Sequence, residues 1–307
     1  MRQHRDFLSV TDFSRDEIIE TIALACELKE RRSRNEHVRP LAGQVWGLIF
    51  HKPSLRTRIS FEVGIHDLGG SVIYITDKEI ELGKRETIAD AARVLSRYLG
   101  GIMIRTFSHK DVEELAQYAD IPVINGLTDY SHPCQIMADI QTIYEKLGRY
   151  DDFKITYVGD GNNITNSIIE LAQRLNFELV IGTADDTLPD VALIEATNKL
   201  GNSVVRIEHD PARAVQGAHV IYTDVWASMG QKDQADEKAR KLRPFQVNEQ
   251  LVSHADKNCV VLHCLPAERG KEITDGVMDG PHSVVFDQAE NRLHAQKAVM
   301  TILMEKK

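Results

Sequence analysis

A heptapeptide at 52–58 concentrates hydroxyl and guanidinium groups at one turn of the chain. It follows the apolar run 45–50, which is typical of a buried strand, and precedes 59–68, whose apolar spacing predicts a helix. The first backbone N–H groups of a helix lack intrahelical partners, and the helix dipole adds partial positive charge there. The turn therefore suits a phosphate group; the alternatives are a solvated basic turn or a nucleic-acid patch. The side chains that would bind the anion are Ser54, Arg56, Thr57 and Arg58.

Three other stretches rich in reactive side chains follow predicted strands. They are His-Pro-Cys-Gln at 132–135, Asp-Val-Trp-Ala-Ser-Met-Gly at 224–230 and His-Cys-Leu-Pro at 263–266. Ligands of open parallel sheets bind beyond the carboxyl ends of the strands, so we expect these stretches to converge there with Arg105 and 159–163. Together they would supply donors for a carbonyl or amide group and an acid–thiol pair.

Apolar runs alternate with segments of helical periodicity, which predicts an α/β fold built from right-handed βαβ units. We expect two domains, each a parallel β-sheet flanked by helices, at 1–147 and 148–290, with a polar hinge at 148–152. A C-terminal helix at 291–307 is expected to pack back on the first domain. The predicted strands are 45–50, 72–75, 101–105, 122–125, 154–158, 179–182, 204–207, 220–223, 260–262 and 284–286. The predicted polar loops are 76–86 and 224–243.

The composition is that of an ordinary globular protein: of 307 residues, 42% are hydrophobic and 27% are charged. The formal charge of −9 argues against broad nucleic-acid binding, which needs a basic face. No apolar stretch approaches the length of a membrane span. The four cysteines form no Cys-x-x-Cys pair and follow no signal peptide, which favours a reduced, cytoplasmic location.

The four motifs together resemble those of the transcarbamylase family. Ser-x-Arg-Thr-Arg within 52–58 is similar to the family's carbamoyl-phosphate motif, and 132–135 is similar to its His-Pro-x-Gln element. The Ser-Met-Gly loop within 224–230 and the cysteine within 263–266 are similar to the ornithine-specific branch, since aspartate-specific relatives lack both. The resemblance implies a two-domain fold and carbamoyl transfer from carbamoyl phosphate to L-ornithine, giving L-citrulline and phosphate in arginine metabolism. It implies no metal and no organic cofactor.

The resemblance also implies roles for individual residues. Arg105 and His132 would donate to the carbonyl oxygen of carbamoyl phosphate as its charge grows. Asp224 and Cys264 would lie beside the attacking δ-amine. The residues implied to bind carbamoyl phosphate are Ser54, Leu55, Arg56, Thr57, Arg58, Glu81, Arg105, His132, Pro133, Cys134, Gln135, Cys264, Leu265 and Arg292. The residues implied to bind L-ornithine are Asn163, Asp224, Ser228 and Met229.

The loop at 81–86 departs from the family pattern. It reads Glu-Leu-Gly-Lys-Arg-Glu, where ornithine-specific relatives commonly have Gln-Leu-Gly-Arg-Gly-Glu. In the family this loop reaches the site of a neighbouring subunit, so the resemblance implies a homotrimer with shared sites. Glu81 would offer an acceptor in place of an amide, and Lys84 with Arg85 would act on the neighbour's phosphate. We expect 76–86 to present no apolar face to its own domain.

An NAD-dependent oxidoreductase is the main rival hypothesis. Gly159-Asp160-Gly161 follows a predicted strand and precedes a helix, and Asp185 lies near the end of the next strand, as in part of a dinucleotide fingerprint. Ile164 argues against it, because that fingerprint needs a small residue there for close helix–strand packing.

Two further alternatives are a non-catalytic regulator on the same scaffold and a carbamoyltransferase for another amine, such as putrescine. The first would be indicated by replacement of Arg56, His132 or Cys264, and all three residues are present. The sequence leaves a carbamoyltransferase for another amine open as an alternative.

Overall fold

The computed structural model describes residues 4–80, 82–83, 85–227 and 235–305. The chain forms two compact units, one of Met1–Gln141 with Glu290–Lys307 and one of Thr142–Ala289. Each unit has one parallel sheet flanked by helices, which confirms the predicted fold class. The predicted domain boundary between 147 and 148 stays a prediction.

The first unit has a four-stranded parallel sheet in the order β2-β1-β3-β4. Its strands are β1 (Val45–Phe50), β2 (Ser71–Thr76), β3 (Gly101–Arg105) and β4 (Val123–Leu127). Its helices are α1 (Arg15–Ser33), α2 (Leu55–Asp67), α3 (Asp77–Ile80), α4 (Ile88–Tyr98) and α5 (His109–Tyr118). Helix α6 (Pro133–Leu147) begins in this unit, and α13 (Val285–Met304) ends in it. The central strands β1 and β3 are almost wholly buried, which explains their continuous apolar runs.

Side-chain caps fix where the helices of this unit begin. Ser14, Ser54, Thr87 and Ser108 each accept a hydrogen bond from the third residue of the helix that follows. At α2, the N-cap Ser54 places the first amide groups of the helix just after the carboxyl end of β1. The phosphate-binding turn predicted from the sequence therefore lies at a strand-to-helix junction.

The second unit has a five-stranded parallel sheet in the order β7-β6-β5-β8-β9. Its strands are β5 (Lys154–Val158), β6 (Glu178–Gly182), β7 (Val204–Glu208), β8 (Val220–Thr223) and β9 (Val260–His263). Its helices are α7 (Asn163–Ala172), α8 (Val191–Leu200), α9 (Pro211–Val215), α10 (Ala235–Leu242), α11 (Glu249–Val252) and α12 (Asp275–Met278). The chain runs from β5 to β6 on one side and returns to β8 on the other. The crevice beyond β5 and β8 is thus the ligand position expected for such a sheet.

The predicted strand at 284–286 is wrong, because α13 begins at Val285. The N–H of Val284 does donate to the Val261 carbonyl oxygen over 3.1 Å, but the Val284 carbonyl accepts from Gln288 N–H over 2.9 Å and the chain turns into helix. Periodicity cannot distinguish a three-residue apolar run that ends at a strand from one that opens a helix.

Both predicted polar loops contain helices. Residues 76–86 include α3, and Leu82 is only 9% exposed and packs in an apolar cluster with Ile88. The expectation that this stretch has no apolar face in its own domain is therefore wrong. Residues 224–243 include α10, whose Leu242 is fully buried. Trp226 and Leu242 both belong to one buried apolar cluster. Two apolar residues thus anchor this charged segment, and an averaged pattern does not detect them.

Within the described residues, no helix combines the length and the apolar character needed to cross a membrane.

Candidate active site

The first half-site is built on the start of α2. The Ser54 hydroxyl accepts from the N–H of Thr57 over 3.3 Å, and Thr57 is only 1% exposed. The Thr57 hydroxyl oxygen accepts from two buried guanidinium groups, that of Arg105 at 3.4 Å and that of Arg292 at 3.3 Å. Arg105 ends β3 and Arg292 lies on α13. Two cations and a helix N-terminus thus meet at one hydroxyl group, which is an arrangement suited to an anion.

Gln135 extends this cluster. Its side-chain oxygen accepts from Arg292 over 2.7 Å, and its amide nitrogen donates to Asp139 over 2.8 Å. The amide orientation is thereby fixed, because Arg292 has donors only and the carboxylate accepts. Sequence reasoning named Gln135 and Arg292 but not Asp139, which lies one helical turn after Gln135 on α6.

His132 lies at the same cluster in its neutral form. Burial holds the pKa of His132 well below its usual value, and the positive charges of Arg292, Arg105 and Arg56 lower it further. A neutral imidazole carries one N–H donor without adding charge.

Pro133 and Cys134 open α6 beside it. The Cys134 thiol donates to the Asn125 carbonyl oxygen over 3.3 Å, and burial raises its pKa to about 12. Cys134 is therefore an uncharged, buried thiol at neutral pH. The carbamoyl-phosphate contacts implied for Pro133 and Cys134 stay predictions.

Arg58 and Leu55 lie differently from the rest of the heptapeptide. The Arg58 guanidinium lies 4.1 Å from the centre of the Tyr74 ring and 3.5 Å from the Glu62 carboxylate. Leu55 is 76% exposed. Arg58 therefore contacts Tyr74 and Glu62, and Leu55 faces solvent. The roles of Arg58 and Leu55 on the phosphate stay predictions. Glu81 lies outside the described residues.

The second half-site is an acid–thiol pair at the ends of β8 and β9. The Cys264 thiol donates to Asp224 Oδ1 over 2.9 Å, and the same oxygen accepts from the Val225 N–H over 2.8 Å. The other carboxylate oxygen accepts from the Asn162 amide over 2.9 Å. Asp224 is thus held in one orientation from two sides, at 6% exposure.

Sequence reasoning singled out Asn163 but not its neighbour Asn162, whose amide group holds Asp224. The Asn162 side-chain oxygen caps α7 by accepting from the N–H groups of Ile164 and Thr165 at 2.9 and 3.3 Å. The signal was present, since an Asn just before a helical run is typical of an N-cap. Asn163 is the first residue of α7. Ser228 and Met229 lie outside the described residues.

A buried His–Glu pair supports the turn that carries Cys264. His263 Nε2 lies 3.1 Å from Glu272 Oε1, with both side chains fully buried, and His263 Nδ1 accepts from the Leu265 N–H over 2.9 Å. Glu272 was not predicted, because nothing in the local sequence ties it to His263. The carbamoyl-phosphate contacts implied for Cys264 and Leu265 stay predictions.

Asp224, His263 and Cys264 also form a group whose ligand atoms all lie within 4.8 Å of one another. Both ring nitrogens of His263 already have protein partners, the Leu265 N–H and the Glu272 carboxylate. A metal ion at this place would have to displace one of them, so the donor set is better matched to its internal hydrogen bonds than to a metal.

The geometry after β5 also disfavours the dinucleotide hypothesis. A Cβ at Gly161 would lie 2.2 Å from the Pro189 nitrogen, so this glycine packs against protein backbone rather than leaving room for a pyrophosphate. The Asn162 side chain accepts from the N–H groups of Ile164 and Thr165, two of the first three amides of α7. Those two N–H groups are therefore not open to a pyrophosphate, which dinucleotide binding requires at such a helix end.

Two parallel α/β units, one with a cation cluster suited to an anion and the other with an acid–thiol pair suited to an amine, are what a two-domain transferase with an anionic donor requires. The chain belongs to the aspartate/ornithine carbamoyltransferase family: residues 5–145 match the model of its carbamoyl-P binding domain and residues 151–303 match that of its Asp/Orn binding domain.

Individual relatives are similar over nearly the whole chain. The ornithine carbamoyltransferase of Thermococcus kodakarensis is 53% identical over 304 residues, which cover 98% of this chain and 96% of that one. That of Syntrophus aciditrophicus is 51% identical over 300 residues, covering 98% of this chain and 99% of that one. The solved ornithine carbamoyltransferase from Pyrococcus furiosus has a TM-score of 0.93 at 48% identity, covering 98% of this chain and 97% of that chain.

Proposed function

We propose that the chain is an ornithine carbamoyltransferase, which converts carbamoyl phosphate and L-ornithine to L-citrulline and phosphate in arginine metabolism. The observation that carries the proposal is the Cys264–Asp224 hydrogen bond of 2.9 Å. A thiol beside a carboxylate suits a primary amine that loses a proton before it attacks, and the resemblance gives this cysteine to the ornithine-specific branch. Relatives with that name, about half identical over the full chain, support the same substrate.

The first half-site is assigned to carbamoyl phosphate. The α2 N-terminus, Ser54, Thr57 and Arg56 would bind the phosphate and stabilise it as it leaves. Arg105 and the neutral His132 would donate to the carbonyl oxygen, whose negative charge grows as the amine adds to the carbonyl carbon. The Gln135 side-chain oxygen, aligned by Arg292, would accept from the carbamoyl NH₂ group.

The second half-site is assigned to L-ornithine. Asp224 would orient the δ-amine and bias it toward the state that attacks, with Cys264 beside it. Asn163, Ser228 and Met229 would bind the amino-acid end of the substrate. In the reaction a C–N bond forms, the C–O bond to phosphate breaks, and the amine loses one proton. No metal or organic cofactor takes part in this scheme.

A steady-state comparison of four acceptors tests the proposal. Purified protein is assayed with carbamoyl phosphate and either ornithine, acetylornithine, putrescine or aspartate, and the carbamoylated product is measured. Ornithine should give the highest kcat/KM by at least about 100-fold, because a polar site rejects analogues that leave its groups unpaired. Faster turnover of putrescine would instead favour the alternative amine, and no transfer to any acceptor would overturn the proposal.

We also propose a homotrimer with shared sites. Large apolar side chains that are exposed at the start of α2 and on the edge strand β2 support it: Leu55 is 76% exposed, Ile59 49% and Ile73 49%. Apolar surface left exposed in one chain is typical of a face covered by another subunit. Light scattering should give three times the chain mass of 34.6 kDa. A monomeric mass would overturn this assembly.

We also propose a cytoplasmic location and limits for the two domains. The four cysteines are free thiols, which supports a reducing, cytoplasmic compartment. We assign 1–147, with the C-terminal helix at 291–307, to carbamoyl phosphate and 148–290 to ornithine.

A further inference from the structure

An ion pair that the proposed mechanism does not use lies at the carboxyl end of β5. Lys238 Nζ on α10 lies 2.7 Å from Asp160 Oδ2, and the two side chains are 18% and 6% exposed. Most ion pairs on a protein surface are far more exposed and contribute little. This one is withdrawn from solvent, so its charges act strongly on their surroundings.

Asp160 belongs to the same crevice as the acid–thiol pair. It follows β5, which pairs with β8, and Asp224 follows β8. The hydroxyl of the fully buried Tyr157 donates to the Asp160 carbonyl oxygen over 2.9 Å. Burial raises the pKa of Tyr157, and the charges of Asp224 and Asp160 and the Cys264 thiol raise it further, so all three groups act on one phenol.

Two carboxylates therefore lie at neighbouring strand ends. Burial raises the pKa of Asp160, the contact with Lys238 lowers it, and the charge of Asp224 raises it. Repulsion between Asp160 and Asp224 is thus offset by Lys238. With Lys238 in place, Asp160 is compensated, and the crevice presents the charge of Asp224 to a ligand.

We propose that Lys238 is a specificity-determining residue, which neutralises Asp160 so that the crevice selects an amino acid over a diamine. This inference rests on the proposed function and names how its amine site discriminates. Ornithine carries two ammonium groups and a carboxylate, whereas putrescine carries two ammonium groups alone. A second uncompensated carboxylate would repel the α-carboxylate of ornithine and attract the diamine.

Lys241 offers a matched control on the same helix. It pairs with Glu237 over 2.7 Å and also contacts Asp186, and its side chain is 39% exposed. Replacing Lys241 removes the same charge from α10 without uncovering a buried carboxylate.

The test measures kcat/KM for ornithine and for putrescine in Lys238→Met and Lys241→Met, with thermal unfolding to check that each variant is folded. We expect Lys238→Met to lower the value for ornithine and to raise the putrescine-to-ornithine ratio about ten-fold. In Lys238→Met the KM for carbamoyl phosphate should be unchanged. In Lys241→Met the putrescine-to-ornithine ratio should be unchanged. An equal loss for both amines, or the same ratio shift in Lys241→Met, would overturn the inference.

Asp160→Asn provides the opposite change and covers the case in which Lys238→Met does not fold. It removes one negative charge beside the crevice while Lys238 keeps its positive charge. The added net positive charge repels the diamine more than the amino acid, so the putrescine-to-ornithine ratio should fall. The double variant Asp160→Asn, Lys238→Met should return the ratio to the wild-type value. A ratio that moves the same way in both single variants contradicts a charge effect. Failure of the proposed function is a separate result, because the wild-type protein would then prefer putrescine or carbamoylate neither amine.

Discussion

The Thr57 hydroxyl contacts two cations of the first half-site at once. It accepts from Arg105 and Arg292, which come from β3 and α13. Thr57→Val keeps the shape of the side chain and removes this acceptor. Both guanidinium groups lose their shared partner, so their alignment for a phosphate is lost.

We expect Thr57→Val to lower kcat/KM for carbamoyl phosphate about 100-fold, a scale typical of losing one group that stabilises the transition state. The KM for ornithine should change little. Ser33→Ala is a suitable control, because this exposed hydroxyl at the end of α1 donates to the local Glu30 carbonyl oxygen, far from the cluster at Thr57 in sequence. Wild-type kinetics in Thr57→Val would show that the hydroxyl has no part in binding the anion.

His132 should act as a neutral donor throughout the working pH range. Burial and three guanidinium groups hold its pKa well below 6.5, so the ring stays uncharged near neutral pH and keeps its single N–H donor. In His132→Gln, kcat/KM should therefore be lower at every pH. The midpoint pH of its acid limb should be the same as in the wild-type protein. Loss in this variant of a wild-type midpoint near 6.5 would assign the titration to His132 and contradict a depressed pKa.

Motifs selected candidate residues that lie in contact where the partners are close in sequence, as Ser54 and Thr57 are. Their roles on the substrate stay predictions. Motifs failed where the partner is distant: Asn162 holds Asp224 across 62 positions, and Glu272 holds His263. Only the packing of the strands places those partners, so no local pattern could indicate them.

At the scale of elements, α13 carries a buried histidine beside several cations. His294 is 1% exposed and its pKa is lowered to about 3, first by burial and then by the charges of Lys297, Lys29 and Arg32. The unfolded chain binds a proton at this residue near pH 6.5 and the folded chain does not. The contribution of neutral His294 to the free energy of unfolding is therefore fully present above about pH 6.5. It decreases as the pH falls from there toward about 3.

We expect His294→Gln to reduce the dependence of unfolding free energy on pH between about 6 and 4, by up to about 1.4 kcal/mol per pH unit. Urea unfolding at several pH values measures the slope, and His66→Gln on the surface of α2 serves as the control. An unchanged slope in His294→Gln, with the variant folded, would mean that His294 is protonated in the folded protein.

Element types and their order were largely predictable, because buried parallel strands are continuous apolar runs and capped helices have clear starts. The strands at 45–50 and 154–158 were predicted with their observed limits. The errors at 284–286 and within the charged stretches 76–86 and 224–243 arose where one or two apolar residues decide the structure. There the tertiary contact, not the local pattern, determines the element.

At the scale of the whole molecule, the proposed assembly makes catalysis depend on two chains. Lys84 lies outside the described residues, and by the family resemblance it would act on the phosphate in a neighbouring subunit. Arg56 lies in the heptapeptide and would act on the phosphate in its own subunit. The competing view is that the charges at 81–86 are solvated and contribute almost nothing.

Mixing two inactive variants separates these views. Arg56→Ala and Lys84→Ala chains are combined in equal amounts, carried through subunit exchange, and assayed, with co-purification through a tag on one chain to confirm exchange. If sites are shared, a site formed by Arg56 of one chain and Lys84 of the other is intact, and random mixing gives about one quarter of all sites this composition. Activity should then recover toward about one quarter of the wild-type value, while each variant exchanged with itself stays inactive. Confirmed exchange without recovery would mean that each chain works with its own residues, and an active Lys84→Ala protein would remove Lys84 from the mechanism.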